Sequence, residues 1–278
     1  ASDYTWFPAD VAVDDEVLSE VGVRKKGFIG SMSWVRPSLK VDSDRFVEDQ
    51  EYLSNTEHFT LNNNNQAPSR LHTCLSYEVF RKAGVPAPLC AHATVDVNGI
   101  PLGVYSNVQP IKKQFLRDNF GNDDGDLYEG TVSDFHEDWL VTFEVKTDDS
   151  TLAPLEELSD VLANAETDPN FIANLEQVLD VDGFITEWAV ETLIGHWDGY
   201  AGNRNNYYVY HDPSDGLLKV IPWGADAAFE RPEEQPFVAM SALTMRLWNN
   251  PEGRARYLTE SQRILDDVWD EVWLLDEI

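Results

Sequence analysis

Positive charge is what this chain has least of. Its 278 residues carry 20 lysines and arginines against 50 aspartates and glutamates, a formal charge of -30. Such a surface repels phosphate backbones and anionic headgroups, which excludes nucleic acid and acidic membranes as partners. It also keeps a protein soluble in a saline or extracellular medium; a taste for basic substrates is the alternative meaning. Long apolar runs are missing too, and nothing approaches the ~18 apolar residues of a membrane span. The opening stretch ASDYTWFPAD has no basic n-region ahead of an apolar run, so no signal peptide is expected on the chain. Cysteine is scarce. Cys74 and Cys90 stand without CxxC spacing, which excludes a structural zinc site and leaves either one disulfide or two buried thiols.

What is present is a globular composition, 42% hydrophobic and 12% aromatic, on a chain long enough for one large domain or two lobes. VGVRKKGFIG and RPSLKVD read as strands joined by a Gly/Ser loop. SRLHTCLSYEVFRKAG reads as a helix with Ser69 as N-cap, an apolar stripe at Leu71, Leu75, Val79 and Phe80, and a stop at Gly84 and Pro86. Two alternating runs around Asn98-Gly99 carry the strongest short hairpin signal. GNDDGDLYEG reads as an acidic turn region. Beyond it lie helical periodicities, a strongly apolar helix DVDGFITEWAVETLIGHW, a hairpin NYYVY–HDPSDG–LLKVIPW, and further helices to the end. The pattern predicts an α+β chain with a β-rich lobe over 1–112 holding one helix, and a mainly helical lobe over 113–278.

The segment HWDGYAGNRNNYYVYHDPSDGLLKVIPWGADAAF concentrates the chemistry. Asp198 is followed five residues later by Asn203, between a buried helix and a hairpin, with Asp226 after the last strand. Phosphoryl transfer needs a carboxylate at the attacking hydroxyl and amide or carboxylate oxygens for a metal, and kinases meet that need with H-x-D-x4-N in this setting. An Asx-turn-rich connector satisfying its own backbone is the plainer reading. Lys26-Gly27-Phe28-Ile29-Gly30-Ser31, between two strands, lets backbone approach phosphates but is neither a Walker loop nor G-x-G-x-x-G. Lys40, one of eight lysines, stands on the next strand, where a point charge suits phosphate; an ordinary surface lysine is the plainer meaning. Glu78 has the spacing to orient it, or simply faces solvent.

In order along the chain, VGVRKKGFIGS…RPSLKVD, SRLHTCLSYEVFRKAGVPAP, VNGIPLGVYSNVQPIKKQFL, LYEG and GHWDGYAGNRNNYYVYHDP…KVIPWGADAAF resemble the CotH kinase family of atypical, secreted or envelope-associated protein kinases. The resemblance implies a bilobal kinase-like fold that binds ATP with Mg²⁺ or Mn²⁺ and phosphorylates serine or threonine on proteins, outside the cell or at its envelope. It implies Asp198 as the catalytic-loop aspartate, and Asn203, Asn206 and Asp226 on the metal. Lys40, with the Gly27 and Ser31 backbone, falls on the phosphate side, and residues 107–111, including Gln109 and Ile111, form an adenine-side connector. Two positions depart. The family pattern is WDxD where this chain has Trp223-Gly224-Ala225-Asp226, and it tends to place glutamate at Gln109. Both remove negative charge, and point to a degenerate kinase-like module with a binding, coat or surface-assembly role as the alternative. A carbohydrate-binding role, suggested by 9 tryptophans and 10 tyrosines, is outweighed by their core-periodic spacing.

Overall fold

Asn98 and Gly99 both take left-handed backbone, φ 52° and 77°, the pair of values a two-residue primed turn demands. They join β5 (Cys90–Val97) to β6 (Ile100–Val108), as the Asn-Gly signal predicts. The computed structural model describes residues 4–27, 31–52, 56–148, 150–230 and 237–277. Residues 28–30, the middle of the predicted glycine loop, lie outside them. The fold is mixed α+β, and the chain divides into two compact units: Ala1–Cys74 with Pro88–Pro110, and Leu75–Ala87 with Ile111–Ile278.

The first unit is a six-stranded antiparallel sheet. Its strands β1 (Phe7–Val13), β2 (Glu16–Lys26), β3 (Ser38–Asp42), β4 (His58–Asn62), β5 and β6 run in the order β1-β2-β3-β4-β6-β5. β2 and β3 are the strands predicted on either side of the glycine loop. β1 and β4 were not foreseen. Helix α1 (His72–Ala83) begins two residues later than Ser69 predicts: that hydroxyl accepts from Leu71 N–H in a turn ahead of the helix. α1 stops where expected, with Gly84 at φ 95° and the Val85 N–H donating to Phe80 C=O. Cys74 and Cys90 form a disulfide across 16 residues, tying the start of α1 to the start of β5. From Leu75 onward, α1 belongs to the second unit, so the β-rich unit holds no complete helix and its chain leaves at 110 rather than 112.

The second unit holds the four-stranded sheet β10-β9-β7-β8, all antiparallel: β7 (Asp126–Gly130), β8 (Glu144–Val145), β9 (Tyr207–Asp212) and β10 (Leu217–Pro222). DLYEG, predicted as part of a turn, is strand β7. Leu127 and Tyr128 are buried and pair with β9, so tertiary pairing overrides the acidic flank that hid the strand. Around the sheet lie α2 (Lys113–Phe120), α3 (Ala153–Ala163), α4 (Phe171–Leu175), α5 (Val181–Leu193), α6 (Tyr200–Asn203), α7 (Ala242–Asn249), α8 (Pro251–Asp267) and α9 (Glu271–Asp276). α5 is apolar nearly all round and buried, capped by Asp180, whose carboxylate accepts from Gly183 N–H. Its Trp188 packs against Tyr257 of α8 with centroids 4.0 Å apart and the rings tilted by 33°, and donates to Val238 C=O. That anchoring fixes where α5 ends, and the candidate site starts there.

Candidate active site

α5 cannot continue past Leu193, because Gly195 turns the chain at φ 65° and Phe229 N–H reaches back to Ile194 C=O. The chain then runs through His196, Trp197 and Asp198 into the single turn of α6. Arg204 and Asn206 follow in left-handed backbone, φ 55° and 54°. Asparagine accepts that region more readily than most residues, which suits an Asn-rich loop to a tight exit. Asn206 C=O accepts from Trp223 N–H, so this loop and the segment leaving β10 are held side by side.

The asparagines converge on Asp198. Its Oδ1 accepts from Asn203 Nδ2 at 2.6 Å and Asn205 Nδ2 at 3.3 Å; its Oδ2 accepts from Asn206 Nδ2 at 2.8 Å. Asn206 Nδ2 also reaches the Asp198 C=O at 3.1 Å. Three amide contacts therefore fix the carboxylate, which remains partly open to solvent, and a fourth holds the main-chain carbonyl behind it. Asn205 was not foreseen; the run Asn203, Asn205, Asn206 gave the signal, but spacing alone does not say which amides turn inward.

His196 is buried, with Nε2 at 3.3 Å from Trp223 C=O and Nδ1 without a partner. Burial pushes its pKa down to about 4, against the Asp198 charge, so the ring is neutral and structural at pH 7. Gly224 has φ 55°, and its N–H donates to Tyr77 Oη, whose own proton is held more tightly through burial and the nearby Asp226 charge. A Cβ on Gly224 would lie 2.6 Å from Asn206 Cγ and Oδ1. Asn206 thus turns its amide nitrogen to Asp198 and its amide oxygen to the place where a side chain at 224 would begin. Asp226 sits in the short 3₁₀ turn Ala225–Ala227 that follows.

Asp198, Asn203 and Asn206 come together as expected, with Gly224, Tyr77 and Asp226 following on the same side of the second unit. Ile111 is also in that unit, but it is buried with Phe115, Leu127, Tyr210 and Ile221 in an apolar cluster. Gly27, Ser31, Lys40 and Gln109 belong to the first unit. Lys40 stands between Arg24 and Thr60 in the sheet register, and Asn63 Nδ2 donates to Ser31 C=O at 2.9 Å. Gln109 exchanges bonds with Leu89: its N–H donates to Leu89 C=O and its Oε1 accepts from Leu89 N–H. Glu78 pairs with Arg81 on its own helix, a surface i,i+3 contact.

The family model described as CotH kinase protein matches residues 23–272. The chain belongs to the CotH kinase protein family. Similar relatives include the inner spore coat protein H of Bacillus subtilis (strain 168), 24% identical over 75% of this chain and 62% of that protein. Invasin CotH2 of Rhizopus delemar is 25% identical over 77% of this chain and 42% of that protein. The inner spore coat protein H-like protein of B. subtilis is 26% identical, covering 90% of this chain and 76% of that one. The CotH-family chain therefore spans less than two thirds of the first two relatives. Among solved structures, a Shewanella oneidensis MR-1 HipA, HipB and operator DNA complex matches 87% of this chain and 52% of that one, at 11% identity and a TM-score of 0.35. That score is too low to carry a structural comparison further.

The groups around Asp198 suit a hard divalent cation. Asn203 and Asn206 amide oxygens and the Asp226 carboxylate are the oxygen donors that Mg²⁺ and Mn²⁺ prefer, and Mg²⁺ usually takes one or two carboxylates beside phosphate and water. With glycine at 224 the set holds one carboxylate besides Asp198.

Proposed function

We propose that this chain is an ATP-dependent protein kinase of the CotH type, acting on serine or threonine hydroxyls at a cell surface or envelope. The observation that carries this reading is the Asp198 carboxylate, oriented by three asparagine amides at the end of a buried helix. In the reaction the substrate oxygen attacks the γ-phosphorus, the bond to the β,γ-bridging oxygen breaks, and ADP leaves. Asp198 accepts or directs the hydroxyl proton; its two oxygens are already aligned, so no reorganisation is needed as the proton moves. A magnesium or manganese ion held by Asn203, Asn206 and Asp226 would supply charge neutralisation at the β- and γ-phosphate oxygens. The family resemblance adds Lys40 and the Gly27 and Ser31 backbone on the phosphate side, with Gln109 and Ile111 toward adenine.

The test is thermal unfolding of the chain with ATP, with and without Mg²⁺ or Mn²⁺, beside phosphoryl transfer from γ-labelled ATP. Saturation at a hundred times Kd stabilises by about 2.7 kcal/mol. Asp226→Ala should lose the metal-dependent part. Asp198→Ala should keep it while transfer falls by about 10²–10⁴-fold; an unchanged rate removes Asp198 from the mechanism.

A second reading is favoured by Gly224. Asn206 fills the place an aspartate would need, so the loop is packed around the glycine and the missing carboxylate is not a simple vacancy. A kinase-like module retained for coat or surface assembly accounts for that packing, and the names of the spore coat and invasin relatives agree with it. Absence of any nucleotide-dependent shift with either metal selects this reading.

A further inference from the structure

Two carboxylates inside α5 have no place in the chemistry above. Glu187 and Glu191 are one helical turn apart, 0% and 2% exposed, on a largely apolar, buried helix. An ionised carboxylate in such a place is costly unless it is hydrogen-bonded, so each calls for a partner. Glu191 has three. Its Oε1 accepts from Tyr200 N–H and its Oε2 from Ala201 N–H, both at 2.9 Å. Its main-chain carbonyl accepts from His196 N–H at 2.8 Å. One residue therefore grips the loop at 196 and again at 200 and 201, and Asp198 lies midway between the grips.

The fit is close. A Cβ on Gly199 would stand 1.9 Å from Glu191 Oε1, so only glycine lets the backbone come this near. Gly199 also offers no side chain to cap α6, and the Glu191 carboxylate takes over that task from a neighbouring helix. Glu187 oxygens meet no N–H or hydroxyl donor. Burial and the adjacent Glu191 charge push its pKa well above the ordinary range, which keeps Glu187 protonated. The Glu191 oxygens act as acceptors toward the loop.

We propose that Glu191 is the positioning residue for Asp198, its carboxylate fixing the 196–201 turn through two backbone hydrogen bonds, beside the one its main chain accepts from His196, so that the aspartate meets its asparagines in a single geometry. The role for Asp198 rests on the kinase reading; the bracing of the loop does not. Glutamine at 191 keeps the volume but presents an NH₂ to one of the two N–H groups. Misplacing a catalytic group by about 1 Å costs about 10²-fold in rate.

The experiment is amide hydrogen exchange of the intact chain, Glu191→Gln against wild type, with ATP turnover measured alongside. Exchange at 196–206 is expected to rise about tenfold while α8 and the sheet keep their protection. Turnover should fall about ten- to a hundredfold in kcat with KM for ATP held. Gly199→Ala, which pushes the same carboxylate away from the loop side, should act alike and replaces Glu191→Gln if that variant does not fold. Unchanged exchange in both variants overturns the brace whatever the chain catalyses. Faster exchange with undiminished kcat overturns its link to Asp198. If wild type transfers no phosphate, the kinase reading fails and the exchange data alone decide the brace.

Discussion

At the scale of single residues, the buried groups near Asp198 make opposing demands on pH. Burial and the Asp198 charge, set against the hydrogen bonds from Ala201 and Tyr200 N–H and the Glu187 side chain, leave the Glu191 pKa raised from 4.5 to about 7, and burial with the Glu191 charge holds Glu187 well above the ordinary range. A carboxyl raised in the folded state contributes stability that is full below its unfolded value and lost as pH rises through the folded one. His196 works the other way: lowered from 6.5 to about 4, it contributes stability present above 6.5 and lost as pH falls toward 4. Asp198 and Tyr207 face the same cluster, and Tyr207 keeps its proton throughout because burial and the carboxylates raise its pKa. Above pH 6.5 only the glutamate pair is left to titrate among these groups. Urea midpoints are therefore expected to fall as pH rises from 6.5 through about 7, and Glu187→Gln should flatten that slope. A rising midpoint in wild type contradicts the raised pair.

At the scale of elements, the disulfide decides how the start of α1 and β5 are held. The first unit packs only a six-stranded sheet, and its edge strand β1 is largely exposed. Closing a loop of 16 residues removes unfolded-state entropy worth about 3 kcal/mol. Replacing Cys74 and Cys90 together by serine should lower stability by about that amount, read as a lower denaturant midpoint with little change in slope. An unchanged midpoint means that the β5–β6 hairpin and α1 hold their places without the link. The same scale explains the misread DLYEG. Strand β7 takes its place because β9 offers it a partner and Leu127 and Tyr128 a core, and neither is visible within ten residues of acidic sequence.

At the scale of the molecule, the net charge of -30 is a store of self-repulsion that the fold reduces only locally. Arg256 is set among Glu176 and Asp182, and Lys146 between Glu129 and Glu144, yet acids outnumber bases by far. Salt screens like charges over about 10 Å at 0.1 M and about 3 Å at 1 M. Raising NaCl from about 10 mM to 1 M should raise Tm, by about 2–4 °C for each kcal/mol gained. A falling Tm shows instead that the ion pairs are worth more than the repulsion. No helix among the described residues is long and apolar enough to cross a membrane.

The local instructions were legible in the sequence. Asn98-Gly99 specified a hairpin, Gly84 a helix end, and the ordered motifs from Val21 to Phe229 the CotH family, because each works through a few adjacent backbone angles or a fixed spacing. Asp198 with Asn203 and Asn206 could be named as a group for the same reason: a loop of nine residues has little freedom to scatter them. Glu187 and Glu191 also left a trace, two charges at i,i+4 in an apolar run, but it does not say what they hold. Only the tertiary structure decides that. Which backbone a buried carboxylate faces, that Asn206 turns its oxygen to Gly224, and that β7 is a strand at all depend on segments brought together by the burial of Trp188, Tyr200 and Tyr207. The sequence determined which groups could act together; packing between distant segments fixed their orientation, since a hydrogen bond is directional and hydrophobic burial is not.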